Sequence, residues 1–106
     1  MSFPVNAQLL DACVLAIAAE NETYGYELTQ RIKQAFEVSE STLYPVLRRL
    51  QKDGYLEVYD QSFQGRNRRY YRITPAGRNR LSEYQAEWAV FRELVEDIMM
   101  GGQGHE

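Results

Sequence analysis

The chain has 106 residues, 44% hydrophobic and 25% charged, with a formal net charge of −3, which describes one globular domain rather than a disordered or multidomain chain. One Cys and one His exclude an intramolecular disulfide and a zinc-type ligand cluster, and no apolar run approaches the ~20 residues that a membrane-spanning helix needs. A chain of this size buries roughly 65% of its unfolded surface, enough for a modest core.

The acidic total conceals an asymmetric distribution. Residues 31–80 carry eleven Lys/Arg against five Asp/Glu, a local +6, whereas residues 1–30 carry −4 and residues 81–106 carry −5. A basic middle between acidic ends points to a polyanionic partner. No basic residue precedes the N-terminal apolar run and Asp11 interrupts it, so no signal peptide and a cytoplasmic location are expected.

Residues 1–5 read as an arm in which Pro4 disfavours helix at Phe3. Asn6 is the N-cap of a first helix reaching about Glu20. Its apolar residues, including Leu9, Leu10, Cys13, Val14 and Ile17 with five alanines among them and beside them, are too many for one stripe. Such a helix must be covered on more than one side, and in so small a domain the second cover is expected to be another subunit. Cys13 is expected to act there as a small apolar residue.

Asn21–Thr23 read as a turn, with Thr23 capping a second helix over Tyr24–Phe36 whose Leu28, Ile32, Ala35 and Phe36 fall at helical spacing. Residues 37–39 form the tight turn to a third helix, capped by Ser39 and running to about Asp53. There Leu43, Val46, Leu47 and Leu50 occupy i, i+3, i+4 and i+7, while the opposite face shows Ser41, Thr42, Tyr44, Arg48, Arg49 and Lys52. Hydroxyls at the N-terminal end and cations further on suit a helix entering a major groove N-terminus first. The bland alternative is a solvated face with cations favoured near the helix C-terminus. Pro45 lacks an N–H and is expected to bend this helix or loosen its first turn.

Gly54 stops the helix at the position after its C-cap. Leu56 and Val58, with Tyr55 and Tyr59, form a strand; Gln61–Asn67 is the wing tip, where Gly65 can take positive φ. The returning strand, Arg68–Ile73, alternates Arg68, Tyr70 and Arg72 with Arg69, Tyr71 and Ile73. Interleaved Arg and Tyr fit contact with backbone phosphates; the alternative is an ordinary solvated hairpin. Thr74-Pro75 opens a fourth helix to about Met99. Along it Leu81, Tyr84, Trp88, Phe91, Val95 and Ile98 are spaced 3-4-3-4-3, a heptad seam. At ~37 Å this helix exceeds what the rest of the domain can cover. Its partner is the first helix of the same chain or the terminal helices of a second copy, and a homodimer is expected.

The fold class is therefore mainly α with a small β-hairpin. Residues 1–73 form a winged helix-turn-helix with an N-terminal dimer-contacting helix, residues 74–100 a C-terminal dimerisation helix, and residues 101–106 a disordered tail.

Three segments carry a family resemblance: YGYEL at Tyr24–Leu28, STLYPVLRRLQKDGYL at Ser41–Leu56, and GRNRRYYRITPAG at Gly65–Gly77. In this order, over about residues 8–80, they resemble the PadR-like transcriptional regulators. The resemblance implies a winged helix-turn-helix repressor, homodimeric through its terminal helices, that binds an inverted repeat in double-stranded DNA. It maps the groove-entering helix onto Ser39–Asp53, makes Thr42, Leu43, Tyr44 and Pro45 a family segment, and places the basic wing tip at Gly65, Arg66, Arg68 and Arg69. A single C-terminal helix resembles the short form of the family. Some short members hold a flat hydrophobic ligand between paired Trp residues at the dimer centre, a part open to Trp88; the alternative for Trp88 is a plain packed interface.

The expected function is a DNA-binding transcriptional repressor, with readout by Ser41, Thr42 and Tyr44 and phosphate contact by Arg48, Arg49, Lys52, Arg66, Arg68 and Arg69. The dimer interface or ligand pocket is expected from Leu9, Cys13, Ile17, Leu81, Tyr84, Trp88, Phe91, Val95 and Ile98, with a small aromatic or hydrophobic effector. No cofactor and no membrane partner are expected. Nor is an enzyme: no carboxylate pair placed in a pocket, Cys/His pair or phosphate loop can be argued. The competing reading is a winged-helix protein-interaction adaptor, which has no need of a basic centre between acidic ends.

Overall fold

A computed structural model describes residues 3–101; positions 102–106 of the expected tail lie outside them. The elements run α1 (Ala7–Glu20), β1 (Thr23–Tyr24), α2 (Gly25–Ala35), α3 (Glu40–Lys52), β2 (Leu56–Phe63), β3 (Arg66–Ile73) and α4 (Pro75–Met99). Three helix starts follow from side-chain caps at the expected residues. The Asn6 carboxamide oxygen accepts from the Leu9 N–H at 2.8 Å, the Ser39 hydroxyl from Thr42 N–H at 3.3 Å, and the Thr74 hydroxyl from Gly77 N–H at 2.9 Å. Each satisfies one of the N–H groups that a helix leaves without an internal partner. Gly54 ends α3 at φ +82°, a left-handed conformation that glycine adopts without steric cost.

Two regions depart from the sequence expectation. The second helix begins at Gly25, with Tyr24 as its uncapped N-cap residue. Thr23 does not cap it; its hydroxyl donates to Glu27 Oε1 at 2.6 Å. The backbone of Thr23 and Tyr24 instead pairs with Tyr71 and Tyr70, so the hairpin becomes a three-stranded antiparallel sheet in the order β1-β3-β2. The wing is also tighter than expected. Phe63 pairs with Arg66 and a two-residue turn, Gln64-Gly65, closes the hairpin with φ +51° and +77°. Two positive φ values match the right-handed twist of the flanking strands, so the expected tip at Gln61–Asn67 is mostly strand.

The core is centred on α1, which packs against α2, α3, β3 and α4. Leu10, Val14, Leu15 and Ala18 meet Leu28 and Ile32, the α3 quartet Leu43, Val46, Leu47 and Leu50, and Leu56, Tyr71 and Ile73 of the sheet. None of the quartet is more than 5% exposed, as its helical spacing predicts. Pro45 lies inside α3, and with no N–H it cannot donate the usual helical hydrogen bond to the Ser41 carbonyl four residues back.

The long fourth helix is anchored at its start. The Thr74 hydroxyl donates to the Gly54 carbonyl at 2.7 Å, and Gly77 passes so near β2 that a Cβ there would lie 2.2 Å from the Tyr55 carbonyl oxygen. Tyr84 is buried, and Glu87 accepts from the Gln8 carboxamide at 3.3 Å. Gln8 is the second residue of α1, and beyond it α4 runs on past that helix. Among the described residues no helix is long and apolar enough to cross a membrane.

Candidate nucleic-acid interface

The N-terminal end of α3 gathers three hydroxyls. Ser39 Oγ lies 2.8 Å from Ser41 Oγ and 3.2 Å from Thr42 Oγ1, and Lys33 of α2 holds Glu40 at 3.3 Å. Ser41, Thr42, Tyr44, Arg48 and Lys52 are all exposed, so the expected face of this helix is open to a partner along its length.

The cations of α3 and the wing divide by what they touch. Arg48, Lys52, Arg66 and Arg68 have no carboxylate partner among the described residues. Arg69 lies 3.5 Å from Asp60, and Arg72 lies 3.3 Å from Glu57 and 3.7 Å from Glu22. Arg49 departs from the groove-facing role expected of it. Its Nη1 and Nη2 donate to Asp11 Oδ1 at 3.2 and 2.5 Å, while the Tyr84 hydroxyl donates to Asp11 Oδ2 at 3.4 Å. Successive residues on a helix point about 100° apart, which turns Arg49 toward α1 while Arg48 faces outward. Burial pushes the Asp11 carboxyl above its usual range, and Arg49 is the strongest influence pulling it back.

Between the start of α2, the exposed face of α3 and the wing lies a cleft of about 700 Å³, lined by Tyr24, Gly25, Tyr26, Tyr44, Arg48, Arg66, Asn67, Arg68, Arg69 and Tyr71. Tyr71 closes its floor, and burial raises the pKa of that phenol. On the outer face of the sheet the register sets Tyr24, Tyr70 and Tyr59 in one row across all three strands, with ring centroids 5.8 and 5.4 Å apart. The Tyr59 hydroxyl donates to Glu22, which raises its pKa. Next along β3, the Arg68 guanidinium carbon lies 4.2 Å from the Tyr24 ring centroid and 3.9 Å from that of Phe63. The sequence reading missed Tyr24, Tyr26 and Phe63 as members of this surface. The signal was the pair Gln64-Gly65, which as a two-residue turn fixes the register that puts Phe63 beside Arg68.

The residues expected at the dimer centre fall into two groups. Leu9, Cys13, Ile17 and Leu81 are half-buried, and Tyr84 is committed within the chain by Asp11 and by Arg80, whose guanidinium lies 4.1 Å over its ring. Further along, Val95 is half-buried, but Trp88, Phe91 and Ile98 are 46%, 60% and 85% exposed. The Trp88 and Phe91 rings sit 6.3 Å apart. Val90 and Leu94, outside the expected seam, are exposed with them.

Comparison with known proteins agrees with this architecture. The sequence model of the transcriptional regulator PadR-like family matches residues 14–83. Transcriptional regulator Rv3488 of Mycobacterium tuberculosis is 43% identical over 93 residues, spanning 87% of this chain and 83% of that protein. The crystal structure of smu.1704 from Streptococcus mutans superposes with a TM-score of 0.90 at 40% identity over 100% of both chains. That of the PadR-like transcriptional regulator BC4206 from Bacillus cereus gives 0.80 at 33% identity, over 92% of this chain and 94% of the other. With this winged helix, its long terminal helix and these matches, the chain belongs to the PadR-like family of transcriptional regulators.

Proposed function

We propose that the protein is a homodimeric repressor that binds an inverted-repeat operator in double-stranded DNA through α3 and the wing. The observation that carries the reading is the set of uncompensated cations. Among the described residues, Arg48, Lys52, Arg66 and Arg68 stand without carboxylate partners around one cleft and one helix face, while the other cations of α3 and the wing are paired. Those four bind phosphates, with Arg69 supplementing them. Ser41, Thr42 and Tyr44 reach base edges at the N-terminal end of the helix. Residues 1–73 serve as the DNA-binding unit with its dimer-contacting helix α1, and residues 74–100 as the dimerisation helix. A two-fold axis through α4 sets the two α3 helices in successive major grooves, about 34–36 Å apart.

The test is selection of bound sequences from a random duplex pool, followed by affinity measured against salt. The expected result is an enriched inverted repeat with half-sites one helical turn apart. With eight such cations per dimer, log affinity falls against log salt with a slope of about −7. A slope near zero, or no enrichment and no binding, would sink the reading and favour a protein-interaction adaptor.

Release by a small aromatic or hydrophobic ligand is the second part of the proposal. The exposed Trp88, Phe91 and Ile98 supply apolar lining once a second copy faces them, and induction requires tighter ligand binding to the dimer geometry that does not fit DNA. The chain has one Trp, so titration of flat aromatic compounds against its fluorescence reports on this position alone.

A further inference from the structure

Arg68 differs from the other unpaired cations in how it is held. It sits on β3, the middle strand of the sheet, and rings reach it from the strands on either side: Tyr24 from β1 and Phe63 from β2. It is half-buried whereas Arg48, Lys52 and Arg66 are exposed. A guanidinium stacked on aromatic rings gains cation–π attraction without losing charge. The two rings hold it from the neighbouring strands, and its planar fork of N–H groups matches two oxygens of one acceptor. That geometry suits a phosphate diester approaching in the plane.

We propose that Phe63 and Tyr24 are positioning residues that clamp the Arg68 guanidinium, so that the wing presents a prearranged, edge-on site for one backbone phosphate of each half-site. The inference rests on the DNA-binding reading above and deepens it. A free arginine side chain loses rotamer freedom when it binds. The clamp meets that cost at folding instead. Phe63 is the cleaner probe of the two, because Tyr24 also stacks on Tyr26, packs at a tilt against Tyr70 and is the N-cap residue of α2, whereas Phe63 is 43% exposed beside the turn.

The experiment has two arms, both on the full chain. In the free protein, the Arg68 side-chain Nε–H resonance is expected to be displaced by ring currents and to return toward the ordinary arginine position in Phe63→Leu. In DNA binding, Arg68→Ala is expected to make the salt slope shallower by about 1.8 for two phosphates per dimer. Phe63→Leu should weaken affinity roughly tenfold for two clamps per dimer with the slope unchanged. Phe63→Trp, which offers a stronger cation–π face, should keep wild-type affinity, and Phe63→Leu should add nothing in the Arg68→Ala background. An ordinary Arg68 resonance, a neutral Phe63→Leu, or an equal loss in both backgrounds overturns the proposal. Absence of DNA binding by the wild type overturns the phosphate role together with the DNA reading, and is told apart from failure of the clamp because the first arm reads the free protein.

Discussion

The winged-helix body and the projecting half of α4 bury their apolar residues to opposite degrees. In the body, every large aliphatic residue of the α3 quartet and of the inner face of α2 is sealed, and a two-residue strand completes the sheet. Beyond Glu87, by contrast, Trp88, Val90, Phe91, Leu94, Ile98 and Met99 stand between 46% and 85% exposed. Both regions are rich in apolar residues, so composition does not separate them. What separates them is neighbours: the body surrounds α1 on several sides, whereas the far half of α4 has outrun α1. A contiguous exposed apolar face on a small domain marks an interaction surface, and α4 is apolar where the described residues give it no cover.

The strongest way to break that contrast is to charge the far half. Phe91→Glu combined with Ile98→Glu places two carboxylates on the face that a second copy would desolvate in the proposed dimer. The expected outcome is a monomer by sedimentation with its far-ultraviolet helix signal largely kept. Operator affinity should fall by about 10²–10⁴-fold, because two half-sites are no longer held by one particle. A variant that stays dimeric would show that the far half of α4 is exposed in the working protein, and the contrast would then be one of solvation rather than assembly.

A smaller change tests how firmly the two regions are joined. Replacing Gly77 by Ala puts a methyl group 2.2 Å from the Tyr55 carbonyl oxygen and 2.8 Å from Ile73 Cγ1. The first of these is backbone, tied to Thr74 N–H at 3.1 Å, and cannot swing aside as a side chain would. Overpacking of this kind costs about 1–3 kcal/mol, which the helix preference for Ala over Gly, about 1 kcal/mol, only partly offsets. Denaturant unfolding should therefore show a lower midpoint, and α4 should leave the body at an altered angle. Unchanged stability would mean that α4 can shift on the body without cost.

Much of this arrangement was legible in the residues. The three caps, the quartet of α3, the stop at Gly54 and the span of α4 each rest on local chemistry that a sequence displays directly. Strand β1 was not legible, because two residues carry no periodicity and their pairing depends on Tyr70 and Tyr71, far along the chain. The Arg68 clamp was hidden for a related reason: Arg68 and Phe63 become neighbours only once the turn is known to be two residues long. Arg48 and Arg49 look alike in sequence, and the packing of α1 decides between them, since only then does Asp11 stand beside one of the two. Leu94 and Val90 were missed because a strict heptad seam is narrower than the apolar surface that this helix exposes.

Asp11 stands at the joint between the two regions, touching Arg49 of α3 and Tyr84 of α4, and its ionisation gives the smallest of these effects. Burial raises its carboxyl above the ordinary 3.8, and the attraction of Arg49 and the Tyr84 hydroxyl only partly opposes that. Below about pH 3.8 the group is protonated in the folded and the unfolded chain alike. As the pH climbs past that value the unfolded chain releases its proton first. The folded state then binds more protons than the unfolded one, so stability falls with rising pH until the folded carboxyl has ionised too. Asp11→Asn removes this dependence while leaving other carboxylates in place. The stability of the wild type relative to Asp11→Asn should therefore decline as pH rises through the window just above 3.8 and then level off, read from urea unfolding at a series of pH values. A rise instead of a decline would mean that Arg49 outweighs burial. The joint would then be held by an ion pair that strengthens on ionisation, and α3 and α4 would be coupled most tightly at neutral pH.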